Sequence, residues 1–464
     1  MQGYGDIFRH VINFSTQFHP EVNMSKKLFV FVMVLSLALI AASPMAPSNS
    51  VPGPTGTFAS GFTIQNLSAS TATCTFVFYN TAGTIAYTSA SFTIPANGSV
   101  FTYVPTIGSL AAGQYSGVVS CDQQVSAVVN SATANSGGSY DGVANTSTTW
   151  YAPNAFNDYY DFYTNFVIQN ATALPVDVTV QIINASGAVV ATQTASTVPA
   201  FAYVNIDQTG LAGLSTDVAY SAKITGTGAL AVEANIYGQA STVNQLYSYT
   251  PFTAGSTTAY APVIMKAYYG YLTALTVQNL GAVAANVTVT YGTGLIQNQV
   301  INPSAAYVFY TPSTTLPNGT LTGAKITSDQ PIVALVNEQN NYGRAASYTG
   351  FSSGSIKVSA PIVLRRYYNY NTSVTCQNIG ASATDMTITY SNAAVTTVTG
   401  VPASGTALFY QPVDAGVPDG FNGSATVTSS SQPIVCVTNE DQNEGSQATT
   451  VFDQLFSYEG FVAP

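Results

Sequence analysis

The sequence predicts an all-β protein: four tandem immunoglobulin-like antiparallel β-sandwich domains of about 100 residues each, following a signal peptide. Three observations lead to this prediction. One segment recurs four times along the chain, apolar and polar residues alternate within it, and a charged and apolar leader precedes it. Alternation of β-branched and aromatic residues between Gly, Asn and Pro is typical of half-buried strands. About seven such strands in each repeat favour a two-sheet sandwich.

A Gln-Asn pair is the clearest marker of the repeat. It follows a similar apolar stretch at Gln65-Asn66, Gln169-Asn170, Gln278-Asn279 and Gln377-Asn378. From this spacing we place the four sandwich repeats at residues 58–149, 150–258, 259–359 and 360–464.

An Ala-Pro dipeptide opens repeats two to four, at Ala152-Pro153, Ala261-Pro262 and Ala360-Pro361. Repeat one lacks this opening strand, so we expect a strand from the linker or from another molecule to complete its sheet. Val462-Ala463-Pro464 has the same pattern as an opening strand, which predicts that the chain stops at a repeat boundary.

The amino-terminal region contains three predicted segments. Residues 24–43 have the form of a secretory signal, with Lys26 and Lys27 before the apolar core LFVFVMVLSLALI and small residues after it. Residues 1–23 precede this signal and are interpreted as a mis-annotated extension. Residues 44–57 form a linker rich in Pro, Gly and Ser. We therefore expect a secreted, extracellular protein without a membrane span in its mature chain.

The composition excludes several classes of function. Only 6% of the residues are charged, and residues 44–464 contain 7 basic and 18 acidic residues, so no basic patch is available for nucleic acid. Both histidines, His10 and His19, precede the predicted signal. The mature chain therefore has no histidine for a catalytic triad or a metal site, and no catalytic motif is present. We expect a protein that is not an enzyme.

The four cysteines predict two disulfides. Cys74 occupies a core position of repeat one and has Cys121 as its local partner, while Cys376 and Cys436 both lie in repeat four. Two cysteines in each terminal repeat and none in the middle repeats indicate intradomain bridges formed in an oxidising compartment. Free buried cysteines are the alternative.

Aromatic clusters follow the Ala-Pro opening of repeats two to four. One interpretation is that they pack between successive sandwiches; another is that they form a platform for sugar rings or for a neighbouring molecule. The candidate interaction residues are Tyr159, Tyr160, Tyr163, Tyr268, Tyr269, Tyr271, Tyr367, Tyr368 and Tyr370.

Oxygen-bearing side chains cluster near one strand end of each later repeat. They occur in the runs Glu233-Ala234-Asn235, Asn337-Glu338-Gln339-Asn340 and Asn439-Glu440-Asp441-Gln442. Calcium takes such ligands, but no loop has alternating acidic spacing. We assign no metal site and no cofactor, with calcium as the alternative to hydrogen bonding at the strand end.

The leader, the repeats, the low charge and the abundance of Thr, Asn and Tyr resemble tandem β-sandwich proteins of prokaryotic cell surfaces. These include surface-layer (S-layer) subunits, sheath or filament proteins and adhesin stalks. The resemblance covers residues 58–464 and is architectural. It implies a non-catalytic structural protein whose sandwiches stack into a rod and associate with copies of themselves or with cell-envelope components. An adhesin or carbohydrate-binding protein that holds glycans at its tyrosine clusters is the alternative.

Overall fold

The structure is a computed structural model that describes residues 29–35, 57–209, 211–240, 243–444 and 450–462. It is all-β and consists of antiparallel sheets, as the alternating pattern predicts. Within these ranges, no helix has the length and apolar character needed to cross a membrane. The predicted extension and most of the predicted signal and linker lie outside the described residues.

The strands follow the sequence repeats. A strand ahead of the first repeat and the strands of that repeat are β1 (Phe29–Leu35), β2 (Ala59–Asn66), β3 (Ala72–Tyr79), β4 (Ile85–Thr88), β5 (Phe92–Ile94), β6 (Ser99–Tyr103), β7 (Tyr115–Cys121), β8 (Val125–Ala132) and β9 (Gly137–Asp141). The second repeat contains β10 (Ser147–Tyr159), β11 (Phe162–Asn170), β12 (Val176–Ile183), β13 (Val189–Val198), β14 (Tyr203–Asp207), β15 (Ala219–Ala240) and β16 (Val243–Tyr249).

The third repeat has the same element order as the second. Its strands are β17 (Ser256–Tyr268), β18 (Tyr271–Asn279), β19 (Ala285–Tyr291), β20 (Ile296–Ile301), β21 (Ala306–Tyr310), β22 (Thr320–Asn340) and β23 (Ala345–Thr349). The fourth contains β24 (Lys357–Arg365), β25 (Asn371–Asn378), β26 (Thr384–Tyr390), β27 (Val395–Val401), β28 (Thr406–Tyr410), β29 (Phe421–Ser429), β30 (Ile434–Asp441), β31 (Phe456–Glu459) and β32 (Phe461–Val462). Short 3-10 turns lie at Val104–Thr106, Thr311–Ser313 and Gln411–Val413.

Each repeat folds into two layers of strands. In the third repeat, one layer has the order β20-β19-β22-β17 and the other has the order β21-β18-β22-β23. The long strand β22 belongs to both layers, pairing with β19 through Ser328 and earlier residues and with β18 from Ile332 onward. Apolar side chains between the layers form a separate core cluster in each repeat, because alternate residues of every strand face inward.

The Asn of the repeated Gln-Asn pair is a structural residue. The Asn170 amide nitrogen donates to the carbonyl oxygens of Leu174, Val198 and Pro199 at 2.7, 3.0 and 2.9 Å. Its side-chain oxygen accepts from the Thr172 amide at 2.8 Å. Asn66, Asn279 and Asn378 make equivalent bonds. The buried Asn therefore satisfies backbone groups where two connections leave the sheets.

The repeats pack in cyclic order through side-chain hydrogen bonds to the backbone of the neighbouring repeat. The Ser116 hydroxyl of repeat one donates to the Phe201 carbonyl of repeat two at 2.6 Å, and Ser221 donates to Ser304 of repeat three at 2.8 Å. The Gln377 amide links repeat four to the Ala324 carbonyl of repeat three at 3.4 Å.

The last of these contacts closes a ring. The Ser424 hydroxyl of repeat four donates to the Asn97 carbonyl of repeat one at 3.4 Å. Core packing follows the same cycle, because Leu335, Val437 and Val128 each join the core cluster of the preceding repeat. The repeats therefore do not stack into a rod, and that expectation is wrong. One head-to-tail interface is used four times and closes on itself.

The ring centre is surrounded by one short strand from near the end of each repeat. The strands β9, β16, β23 and β31 pack around it, each beside the next. Asn235, Asn337 and Asn439 accept hydrogen bonds from the paired serines Ser248, Ser347 and Ser457, at 2.5, 2.8 and 2.8 Å. The oxygen-rich strand ends noted in the sequence therefore meet at this centre rather than on the surface.

Two boundaries differ from the sequence predictions. Phe461 pairs with Ser359 of the opening strand of its own repeat, as Phe351 pairs with Tyr260 and Phe252 with Tyr151. Phe461–Val462 therefore completes repeat four rather than opening another. In repeat one, the edge of β7 pairs with β1, which lies within the predicted signal; the linker expected to supply this strand lies outside the described residues, apart from Thr57.

Candidate functional site

The tyrosine clusters form the tips of three equivalent hairpins. The two turn residues have left-handed backbone conformations, with φ of 49° and 66° at Tyr160-Asp161, 49° and 84° at Tyr269-Gly270, and 49° and 68° at Tyr368-Asn369. Two successive left-handed residues are the geometry of a type I′ turn, which favours Asn or Gly. A tyrosine at the first position is therefore unfavourable for the backbone in all three hairpins.

These turn tyrosines are also the most exposed aromatic residues of the described chain. Tyr160, Tyr269 and Tyr368 are 68, 83 and 77% exposed. Each ring lies edge to face with the preceding half-buried tyrosine, at centroid distances of 4.8, 4.9 and 4.7 Å. An unfavourable conformation that keeps a large apolar ring in solvent at three equivalent places points to a role other than stability.

A cleft between repeats three and four lies beside the second hairpin. It has a volume of about 690 Å³, and its lining includes Tyr268, Tyr269, Tyr271, Tyr410, Arg344 and Asp441. The Arg344 guanidinium donates from Nε to Asp441 Oδ1 at 2.8 Å, and the Tyr271 hydroxyl donates to Asp441 Oδ2 at 2.6 Å. The ion pair is buried, with side-chain exposures of 1% and 5%, so it fixes one wall of the cleft.

Protonation in this cleft is governed by burial. Burial raises the pKa of Asp441, while Arg344 and the Tyr271 hydroxyl oppose the rise. Burial and the neighbouring carboxylate of Asp441 raise the pKa of Tyr271 well above its usual value. The phenol is therefore neutral at neutral pH and remains a hydrogen-bond donor.

A second cleft between repeats two and three occupies the corresponding place. Its volume is about 480 Å³, and Tyr159, Tyr160, Phe162, Tyr247, Tyr310 and Gln339 contribute to its lining. The Tyr247 hydroxyl donates to Gln339 Oε1 at 2.7 Å. Gln339 stands where Asp441 stands in repeat four, since both lie two residues after the central Asn. This cleft is therefore a less charged version of the first.

Not every candidate tyrosine lies in a cleft. Phe162 pairs with Tyr159 as Tyr271 pairs with Tyr268, so Phe162 rather than Tyr163 is the counterpart of Tyr271. Tyr163 follows it on the opposite face of the strand, where burial and Asp158 raise its pKa to about 12.

The third hairpin is held by repeat four itself. Tyr370 packs on Phe456 with a centroid distance of 6.0 Å. Arg366, beside Tyr367, pairs with Glu444 and Asp419 at 2.7 Å each. Tyr368 therefore projects from a hairpin whose base is fixed.

The sequence-predicted disulfides are present. Cys74 and Cys121 bridge the neighbouring strands β3 and β7, and Cys376 and Cys436 bridge β25 and β30. Each bridge joins adjacent strands of one layer and does not cross between layers. No cysteine of the described chain is free.

The oxygen-rich strand ends make hydrogen bonds with neighbouring repeats. The Asn130 amide donates to Glu440 at 3.1 Å, and the Asn439 amide donates to Glu338 at 2.6 Å. Across the ranges that the structure describes, no group of three or more His, Cys, Asp or Glu residues is placed to hold a metal ion.

Sequence reasoning missed the Arg344–Asp441 pair. The two residues are separated by 97 positions and belong to different repeats. The sequence shows only that arginines are few; the burial of Arg344, which requires a partner for its charge, is visible only in the structure.

Comparisons with known proteins identify no family. No family model matches the chain, and no curated protein matches it. Among solved structures, Thermotoga maritima 1070 is 16% identical with a TM-score of 0.19, over 21% of this chain and 94% of that protein. An anti-sigma factor domain-containing protein is 9% identical with a TM-score of 0.14, over 84% and 96%. Streptomyces avermitilis alpha-L-rhamnosidase is 10% identical with a TM-score of 0.13, over 79% and 52%. Structural similarities with TM-scores this low support no conclusion about fold or function.

Proposed function

We propose that this protein is a secreted, non-catalytic structural protein of the cell surface that self-assembles into a surface layer, sheath or extracellular filament. The observation that carries the proposal is that the outer edge strands are open and uncharged. β4, β13, β20 and β27 each end a layer without an outer hydrogen-bonded neighbour among the described strands. None contains Asp, Glu, Lys or Arg.

These edges also present apolar side chains to solvent. The exposed fractions lie between 48 and 58% for Ile85, Val189, Ile296, Val300 and Val395. Soluble proteins usually protect an open edge with charge, proline or a bulge, because unpaired backbone groups are a template for another strand. Three of the four edge pairs contain a register shift, whereas β20 pairs with β19 without one. Edges that lack charge and proline, and the regular β20 edge above all, are suited to edge-to-edge pairing between copies.

Two further observations are consistent with secretion. The predicted leader directs export, and two disulfides are characteristic of an oxidising compartment. We also propose that each repeat is one immunoglobulin-like domain. The two antiparallel layers support this assignment, although one long strand is shared between layers in repeats two and three.

Electron microscopy and light scattering of purified residues 44–464 test the proposal. We expect ordered filaments or lattices for the unaltered protein. An Ile85→Lys/Val189→Lys/Val300→Lys/Val395→Lys variant should remain monomeric, because charge blocks the edge of every repeat. The matched control, Leu174→Lys/Val283→Lys, adds lysines at loop positions that are 73% and 57% exposed and should still assemble. Isolated particles of the unaltered protein at every concentration and salt condition would refute self-assembly.

The second candidate function is that of an adhesin or carbohydrate-binding protein. The observation that favours it is the pair of equivalent aromatic clefts with exposed turn tyrosines, since aromatic faces and fixed hydrogen-bonding groups are common in ligand sites. A glycan array separates the two functions. A specific signal that Tyr160→Ala/Tyr269→Ala/Tyr368→Ala abolishes and Tyr103→Ala retains supports binding, because Tyr103 lies on an edge strand outside both clefts.

A further inference from the structure

Repeat one is built like the other repeats except at its first strand. In repeat three, Val287 pairs with Ser328, and the opening strand pairs Ala261 with Ala324, four residues before Ser328. In repeat one, Cys74 pairs with Cys121, and Gly117, four residues before Cys121, pairs with Met33 of β1. β1 therefore lies at the opening-strand position of repeat one.

The opening strands of repeats two to four differ from β1 in how they pair with the neighbouring strand. After the Ala-Pro dipeptide their pairing shifts register, and the backbone freed by the shift meets a buried tyrosine. The Tyr348 hydroxyl donates to the Val263 carbonyl at 2.7 Å and accepts from the Val263 amide at 3.0 Å. Tyr458 bonds both backbone groups of Ile362 in the same way.

The equivalent tyrosine of repeat one lacks this partner. Tyr140 follows Ser139 as Tyr348 follows Ser347, and it is 3% exposed. Its hydroxyl has no hydrogen-bond partner among the described atoms. β1 pairs with β7 continuously from Phe29 to Leu35, without the register shift. A buried hydroxyl is rarely left unpaired, so repeat one is shaped for a strand that carries the shift.

The sequence contains a segment with the Ala-Pro pattern of such a strand. Met45-Ala46-Pro47 has the Ala-Pro dipeptide, and Pro47 precedes Gln65 by 18 residues. In each of the other three repeats, the corresponding proline precedes the glutamine by 16 residues. The connection is therefore long enough to place Ala46-Pro47 beside Gly117, two residues longer than in the other repeats.

We propose that, in the mature protein, residues 45–51 replace Phe29–Leu35 on the edge of β7, and that the bulge after Ala46-Pro47 provides the partner for the Tyr140 hydroxyl. The inference depends on removal of the predicted leader before Met45. It does not depend on self-assembly, because the strand belongs to the same chain.

Hydrogen exchange of the secreted protein tests this proposal. Mass spectrometry first establishes where the mature chain begins; a start after Ala46 would overturn the proposal. If the start lies before Met45, we expect protected amides in residues 115–121. Ala46→Asp should accelerate their exchange at least tenfold, because the equivalent Ala152 and Ala261 are fully buried. Pro54→Gly, beyond the proposed strand, is the control and should change nothing. Equal exchange in Ala46→Asp and unaltered protein would refute the proposal.

A peptide complementation experiment identifies the occupant. A synthetic peptide of residues 44–54 should restore protection to the Ala46→Asp protein, and replacing its Ala-Pro by Gly-Gly should weaken binding at least tenfold. Tyr140→Phe in the Ala46→Asp protein should weaken binding of the unaltered peptide to a similar extent. If amide protection in the unaltered protein depends on protein concentration and appears together with dimers, the strand comes from a second copy. That result would overturn the same-chain inference.

Discussion

The Asp453 carboxylate of the fourth repeat accepts a 2.6 Å hydrogen bond from the backbone amide of Leu246, in the repeat diagonally opposite in the ring. It also accepts from the Ala345 amide of the third repeat at 2.7 Å, and its own amide donates to the Asn135 carbonyl of the first at 2.8 Å. Asp453 is fully buried. One residue near the ring centre therefore contacts the other three repeats.

Removing the Asp453 carboxylate should loosen the ring. In Asp453→Ala, the amides of Leu246 and Ala345 lose their acceptor, and we expect the free energy of unfolding to fall by about 2–5 kcal/mol. Asp453→Asn keeps one acceptor oxygen and should lose roughly half as much. Chemical denaturation measures both. Equal stability of Asp453→Ala and the unaltered protein would contradict the assignment.

Stability should decrease as the pH rises from the ordinary pKa of glutamate to the raised pKa values of two buried glutamates. Burial raises the pKa of Glu338 to about 8, against the opposing hydrogen bond from Asn439, and raises that of Glu440 to about 7. The folded state therefore holds protons that the unfolded state, with ordinary glutamate pKa values, releases. The stabilisation is complete below the unfolded pKa and is lost as pH rises through the folded values. We expect a loss of about 7 kcal/mol between pH 5 and pH 9.

Glu338→Gln isolates this effect. The amide cannot ionise, so the variant should lose less stability than the unaltered protein over the same pH range. Asp329→Asn, at an exposed carboxyl whose pKa is lowered, should leave the slope unchanged. Thermal unfolding at several pH values provides the measurement, and identical slopes for Glu338→Gln and the unaltered protein would argue against a protonated Glu338.

The two disulfides should contribute substantially to stability. They close sequence separations of 47 and 60 residues, for which the chain-entropy relation gives about 4 kcal/mol each. We expect no reactive thiol in the denatured, unreduced protein. Cys376→Ser/Cys436→Ser should lower the denaturation midpoint, with Cys74→Ser/Cys121→Ser as the comparison. Four reactive thiols without reductant would refute both bridges in the isolated protein.

Asn279 should be intolerant of substitution. Its amide nitrogen donates to the Val283 and Ile301 carbonyls at 2.8 and 2.9 Å, so Asn279→Ala leaves buried backbone acceptors unpaired. The expected loss is about 2–3 kcal/mol. Asn298→Ala, on an exposed strand position, should lose less than about 0.5 kcal/mol. Denaturant midpoints of the two variants are sufficient for the comparison.

Replacing the turn tyrosine should not destabilise the protein. Tyr269 has φ of 49°, a conformation that Asn adopts more readily than Tyr, so Tyr269→Asn should keep or raise stability by about 0.5–1 kcal/mol. If the tyrosine instead contributes to folding through its contact with Tyr268, the variant will unfold earlier. Thermal unfolding distinguishes the two results, and a loss above 1 kcal/mol would favour a purely structural tyrosine.

The strand content and the repeat could be read from the sequence because both are local signals. Alternating apolar and polar side chains indicate a strand with one buried face. The recurring Gln-Asn pair marks equivalent positions in the four repeats. The role of Asn170 was hidden, since its partners Val198 and Pro199 are nearly thirty residues away. Ring closure was hidden for the same reason: the Ser424 hydroxyl bonds Asn97, and neither residue belongs to a recognisable motif.

The contact between repeats four and one has a consequence for biosynthesis. Asn130 and Glu440 are separated by 310 residues, so this interface cannot form until almost the whole chain has been made. Long-range contacts of this kind slow folding. Until then, repeat one has an open face, and intermediates with open faces associate wrongly. We therefore expect the docking of repeat four onto repeat one to be the rate-limiting step of folding. A chaperone would be needed at that step.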